Sequence, residues 1–237
     1  LHKVGGGAVH GMWTARFGEA QKSVAHIGTK LYSWDDTDAA PVELMTGLHD
    51  GRSQGVLLGG KLWIVTGGEL LRYDGTTVTD ITASDDVYIP VTVIARKPAG
   101  GGEPYEDINL LGRYRENRFL ADGTSKVYQL DGVIDAEGDV RVWVNGVEIT
   151  SGWTAGTVTF AAAPEAPAAG KEDNVRIQYP HTVSGYADRI GKCTIITAYG
   201  INATNRIVLS GNPEHPNLDW TSAVNDPTYI PDLSYSA

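Results

Sequence analysis

The sequence holds a single cysteine, Cys193, so no intrachain disulfide is available to staple the fold. Its apolar surroundings, Cys193-Thr194-Ile195-Ile196, mark it as a small buried hydrophobe. A chain without disulfides suits assembly in a reducing cytoplasm. No run approaches 18 apolar residues, and no basic segment followed by an apolar one marks the start, so neither a membrane span nor a signal peptide is expected. The chain begins Leu1-His2-Lys3 without Met, which reads as a processed product or a piece of something longer. Two Met and three Phe are few for 237 residues, and Leu-Ala-Glu-Lys stretches at helical spacing are nearly missing. Basic residues are also in the minority. Against 29 Asp and Glu stand 19 scattered Lys and Arg, for a net charge of −10, which leaves no basic patch for nucleic acid.

Motifs that carry chemistry are missing as well. The six His include no pair at a metal-ligand spacing such as H-x₃-H or HExxH. His26 reads as a packed strand residue and His215 as part of the turn Asn212-Pro213-Glu214-His215-Pro216. The acidic clusters Asp35-Asp36-Thr37-Asp38 and Asp135-Ala136-Glu137-Gly138-Asp139 do not follow the twelve-residue calcium loop, and their carboxylates suit turns. Gly5-Gly6-Gly7 and Gly100-Gly101-Gly102 lack a following Gly-Lys-Ser/Thr, so they read as flexible linkers. No G-x-S-x-G elbow is present. No catalytic residue, metal or cofactor is therefore assigned, and the chain reads as a non-enzyme. Paired glycosidase carboxylates stay open, because their spacing lies in three dimensions.

What the chain does have is glycine, 29 residues of it, together with 41% apolar residues, enough for a core. Short strands and tight turns are the fold class this favours: all-β. Gly28-Thr29-Lys30-Leu31-Tyr32-Ser33-Trp34-Asp35 is echoed 39 residues later by Gly67-Gly68-Glu69-Leu70-Leu71-Arg72-Tyr73-Asp74. In each copy an apolar strand (Val24 to Ile27; Leu62 to Val65) meets a turn, and a second strand carries Leu and an aromatic to an acidic turn. A β-meander with a period near 40 predicts a propeller-like repeat domain. Ile201 to Gly211 shows the same grammar, with Ile207-Val208-Leu209-Ser210-Gly211 overlaying Trp63-Ile64-Val65-Thr66-Gly67. That copy starts far beyond one period, so something is inserted between.

The insert has a different texture. Pro98-Ala99-Gly100-Gly101-Gly102-Glu103-Pro104 reads as a linker at its start. Beyond it, Val140, Val142 and Val144 alternate with polar or aromatic neighbours and end at Asn145-Gly146, a strong hairpin signal. Lys126 to Leu130, Gly156 to Phe160 and Asn174 to Tyr179 supply further short strands, which together predict an inserted β-sandwich. The expected domains are residues 1–103 (propeller-like, first part), 104–182 (sandwich) and 183–237 (propeller-like, second part). The 158 residues outside the insert make about four periods, a small or partial propeller.

The pieces Phe119-Leu120-Ala121-Asp122-Gly123-Thr124, Val140 to Val147, Gly156 to Pro164 and Asn174 to Tyr179, in that order, resemble a module common in bacteriophage structural proteins. It covers about a third of the chain. The ending Val208 to Trp220, with Asp226-Pro227-Thr228-Tyr229-Ile230-Pro231, is similar to phage and prophage proteins with propeller-like folds, sometimes called tail or stabilisation proteins. The resemblance implies a virion component assembled in the bacterial cytoplasm, repeated as a homo-oligomeric ring around tail or neck, with other virion proteins as partners. It brings no catalytic residue.

Aromatics near strand ends and turns are the remaining asset: Trp34, Tyr73, Trp143, Trp153 and Trp220. Such rings anchor protein interfaces or stack on sugars, and otherwise fill cores. Trp143, Trp153 and Trp220 are the candidate interaction residues. The leading expectation is a tail, neck or tail-hub protein acting in particle assembly or host attachment. Its alternatives are a carbohydrate- or receptor-binding module facing a host-surface glycan, and a propeller-fold glycoside hydrolase.

Overall fold

The computed structural model describes residues 4–168, 172–200 and 205–236. The chain is all-β: strands make up 44% of it and helix 5%, and the strands form several antiparallel sheets. Among the described residues no helix is long and apolar enough to cross a membrane. The chain divides into two compact units. Unit 1 comprises residues 1–88, 110–112 and 184–237, and unit 2 comprises 89–109 and 113–183.

Unit 1 holds three four-stranded sheets, each built in sequence order. The first is β1 (Val9–Phe17), β2 (Ala20–Ile27), β3 (Lys30–Trp34) and β4 (Val42–Thr46). The second is β5 (Gln54–Leu58), β6 (Lys61–Val65), β7 (Leu70–Tyr73) and β8 (Val78–Asp80). The two halves of the 39-residue repeat thus fall on the second and third strands of consecutive sheets. Strand β6 shows why the sheets stack. Its run Leu62-Trp63-Ile64-Val65 is buried throughout, and alternate side chains enter different cores. Leu62 and Ile64, with Leu71 and Tyr73, meet Val24 and Leu31 of the first sheet. Trp63 and Val65, with Leu70, meet Ile196, Ile207, Leu209 and Trp220 near the end of the chain.

Unit 2 carries the next nine strands: β9 (Val91–Arg96), β10 (Glu103–Pro104), β11 (Tyr114–Phe119), β12 (Val127–Tyr128), β13 (Arg141–Val144), β14 (Val147–Ile149), β15 (Trp153–Thr154), β16 (Val158–Phe160) and β17 (Val175–Pro180). Six form one sheet in the order β10-β9-β11-β17-β13-β14, and three form another in the order β12-β16-β15. One apolar cluster joins the two sheets, with Phe119, Val142, Val175 and Ile177 from the larger and Tyr128, Val158 and Phe160 from the smaller. The β13–β14 hairpin turns on Asn145 at φ 51° and Gly146 at φ 78°, the two positive values a two-residue turn of this hand requires.

The first boundary of unit 2 falls at residue 89, not at 104, because β9 pairs in parallel with β11 and antiparallel with β10. The stretch from Pro98 to Pro104, expected as a linker, is instead an ordered hairpin. Gly100 N donates to Lys97 O at 2.8 Å, and the Arg96 guanidinium donates to Gly101 O at 2.5 Å. Gly102 stands at φ 97° with the Val93 side chain and the Ile94 carbonyl against it, where a Cβ would lie 2.6 and 2.8 Å from them. Its glycine serves a close turn and not a flexible tether.

The chain re-enters unit 1 twice. Leu110 and Leu111 join its core, and Leu110 N donates to Ile230 O at 2.9 Å. After α1 (Tyr186–Gly191) come β18 (Ile195–Tyr199), β19 (Arg206–Ser210), β20 (Asp219–Thr221) and β21 (Tyr235–Ser236), the third four-stranded sheet. Of the Ile201 to Gly211 segment, residues 201–204 lie outside the described residues. The middle sheet of unit 1 is therefore covered on both faces. The outward faces of the other two keep apolar side chains in solvent, Met12 on the first and Ile195 and Tyr199 on the third.

Candidate functional site

The outward face of the six-stranded sheet in unit 2 gathers the residues best placed for chemistry. Register sets Trp143 of β13 opposite Arg176 of β17, and Arg176 opposite Arg118 of β11, so the three form one transverse row. The next row brings Arg141, Gln178 and Glu116 together. Strand alternation puts all of these on the face opposite the apolar cluster of Val142, Val175, Ile177 and Phe119.

Glu116 organises this face. Its side chain is 4% exposed, yet both carboxylate oxygens are engaged. Arg118 Nε donates to Oε1 at 2.7 Å, Gln178 Nε2 donates to Oε2 at 2.7 Å, and Arg176 Nε stands 3.5 Å from Oε2. The Arg176 guanidinium lies over the Trp143 ring, 4.1 Å from its centroid. Arg118 and Arg176 are 41% and 40% exposed, and among the described residues their Nη groups meet no protein acceptor. A surface cleft of about 440 Å³ opens here, lined by Arg118, Trp143, Arg176, Glu172 and Asp173. Asp173 Oδ2 also accepts from Ala95 N at 3.0 Å, which anchors that rim.

The opposite face, apolar at Val142, Val175, Ile177 and Phe119, also carries one buried polar network. The Asp131 carboxylate accepts from the Tyr179 hydroxyl, from Thr92 Oγ1 at 2.7 Å and from Asn117 Nδ2 at 2.9 Å. Burial opposes its ionisation, but these three donors outweigh burial and hold the carboxyl below its ordinary range. Burial, joined by the Asp131 charge, pushes the Tyr179 phenol up. This network is structural, since every donor in it already has an acceptor.

The sequence-predicted aromatics are dispersed. Trp143 lines the cleft. Trp153 is half-buried, donates from Nε1 to Ile149 O at 3.1 Å and borders a second cleft of about 500 Å³. Trp220 is 1% exposed inside the core of unit 1, with His215 edge-on at 5.9 Å, so it offers no face to a partner or a sugar. Tyr73 is buried as well, its hydroxyl donating to Gly75 O at 2.9 Å. The first acidic turn is a local cap, where Asp35 accepts from Thr37 N at 2.8 Å and from Thr37 Oγ1 at 2.6 Å, whereas in the second Asp135 accepts from Thr182 N and Asp139 pairs with Arg113. Among the described residues no group of three or more His, Cys, Asp or Glu converges as a metal site.

Sequence reasoning missed Arg118, Arg176 and Glu116. Arg176 stood in a recognised strand, but nothing in a single strand announces that its neighbours across the sheet are an arginine and a tryptophan. A second cluster was also hidden. His26 is fully buried and hydrogen-bonds through Nδ1 to Ser53 Oγ at 3.1 Å, while the His10 ring lies tilted against it, centroids 5.1 Å apart, and bonds Asp50 at 2.5 Å. Ser53 is itself buried, which closes this serine–histidine pair to a substrate of any size. Burial first, and His10 second, hold the His26 imidazole below its ordinary pKa. Comparison with known proteins finds no family model, no curated protein and no solved structure that matches this chain.

Proposed function

We propose that this chain is a structural component of a phage or prophage virion, working through protein–protein contacts and not through turnover. The observation that carries the reading is the stack in unit 1. Three four-stranded meanders follow one another, the middle one is covered on both faces, and the outward faces of the end ones expose Met12 on one side and Ile195 and Tyr199 on the other. A stack of this kind is continued by any further sheet of the same type, as in a propeller or an assembly ring. We read the three sheets as blades of a partial propeller and unit 2 as an inserted β-sandwich. The resemblance of Phe119 to Tyr179 to a phage module supports the virion setting.

The test is the solution state of the purified protein, by native mass spectrometry and light scattering over a wide concentration range. A discrete ring-sized oligomer, or a complex with a neighbouring tail or neck protein, is the expected result. Tyr199→Asp and Met12→Asp should weaken that association while leaving the circular dichroism spectrum of the folded chain unchanged. A chain that stays monomeric at every concentration and binds no virion protein overturns the reading.

A further inference from the structure

We propose that the Trp143 cleft of unit 2 binds a saccharide that carries a carboxylate, of the hexuronic-acid type. Two guanidinium groups are held side by side on adjacent strands, with Arg118 tethered through Nε to the buried Glu116 carboxylate and Arg176 close beside it. Their Nη donors meet no protein acceptor among the described residues, although both side chains are well exposed. The Arg176 Nε is itself a buried donor with no hydrogen-bond partner. A planar fork matches a carboxylate in bidentate fashion, and prior tethering lowers the entropy lost on binding.

Charge counting selects the number of acidic groups. With Glu116, Glu172 and Asp173 against Arg118 and Arg176 the lining as a whole carries one negative charge, so the forks have room for a single ligand carboxylate and no more. Polyanions are disfavoured, because Glu172 and Asp173 stand on the rim and the whole chain carries a net charge of −10. Those two rim carboxylates instead suit the hydroxyl donors of a sugar. Trp143, half-buried with Arg176 over one face of its ring, borders the cleft as an aromatic wall for the apolar face of a pyranose ring. The cleft, at about 440 Å³, falls in the range of roughly 300–1,000 Å³ typical of small-molecule sites. This site does not depend on the assembly reading, since a monomer carries it whole.

The experiment is a glycan array followed by titration calorimetry, with oligosaccharides of glucuronic and galacturonic acid and their neutral counterparts as probes. The protein should bind acidic oligosaccharides and bind matched neutral ones at least roughly tenfold more weakly. Arg118→Lys and Arg176→Lys keep the charge that pairs with Glu116 but lose the fork, and each should lower affinity about tenfold. Trp143→Ala should abolish binding, and Trp153→Ala should leave it unchanged. Thermal unfolding of each variant checks that it is folded. Should Arg176→Lys unfold the chain, Arg118→Lys decides the matter alone. No binding of acidic oligosaccharides, equal binding of neutral ones, or full affinity in folded Arg→Lys variants each overturns the proposal.

Discussion

Unit 1 joins its sheets through apolar strands, whereas unit 2 buries three consecutive polar residues, Arg115, Glu116 and Asn117, in the middle of its larger sheet. The physical demands on the two arrangements differ. Leu62, Ile64, Leu71 and Tyr73 gain from being out of water whatever apolar surface covers them, so a stack of this kind tolerates repetition. A buried Glu116 is stable where Arg118, Gln178 and Arg176 each stand in one position, because an unpaired charge there is costly. Apolar stacking is thus a general adhesive, and the polar face is a specific fitting. The first suits contacts with similar sheets and the second suits recognition of one ligand chemistry.

The comparison breaks most readily at its largest expected effect. Trp220→Ala empties a fully buried site in the core of unit 1 and should cost about 4 kcal/mol. In urea denaturation the transition of unit 1 should move while that of unit 2 stays. Equal movement of both would show that the units unfold as one.

Next is Glu116→Ala, which leaves the part-exposed Arg118 and Arg176 without their shared carboxylate and should destabilise unit 2 by about 2 kcal/mol. The same measurement checks it, and a loss below about 1 kcal/mol would show that water serves both guanidiniums as well as Glu116 does.

The smallest effect comes from pH and sharpens the contrast. His26 is held below its ordinary pKa, so on acidification the unfolded chain takes up a proton near pH 6.5 that the folded one refuses. The stability that His26 contributes is present above that value and lost as pH falls below it. Asp131 in unit 2 is also held below its ordinary value, but as a carboxyl its contribution is present above about pH 4 and lost below that. Between about pH 6.5 and 4 unit 1 should weaken while unit 2 holds, followed by thermal unfolding at stepped pH. His26→Gln should flatten the response of unit 1, and an unchanged slope in that variant would place the titrating group elsewhere.

Legibility followed the hydrophobic pattern. Leu62 to Val65 and the alternation of Val140, Val142 and Val144 announce their strands, and Asn145-Gly146 announces its turn, because burial and turn geometry act within a few residues. Tyr114 to Phe119 reads as a polar segment, yet it is the strand on which Glu116 and Arg118 sit. Polarity there is compensated by partners on β17 up to 62 residues away, and no local pattern reports them. The same blindness turned the Pro98 to Pro104 hairpin into an expected linker. A glycine run at positive φ and a flexible one are spelled alike until the neighbouring strand is in place.

By itself the sequence determined the fold class, the repeat in unit 1 and a change of texture in the middle of the chain, since glycine turns and strand periodicity are local properties. Tertiary structure alone decided that β9 belongs with unit 2, that Trp220 lies in a core, and that Trp143 meets Arg176, which shares a buried carboxylate with Arg118. Those facts depend on which strands become neighbours. Strand pairing is set by the fit of whole faces, and no single segment encodes it.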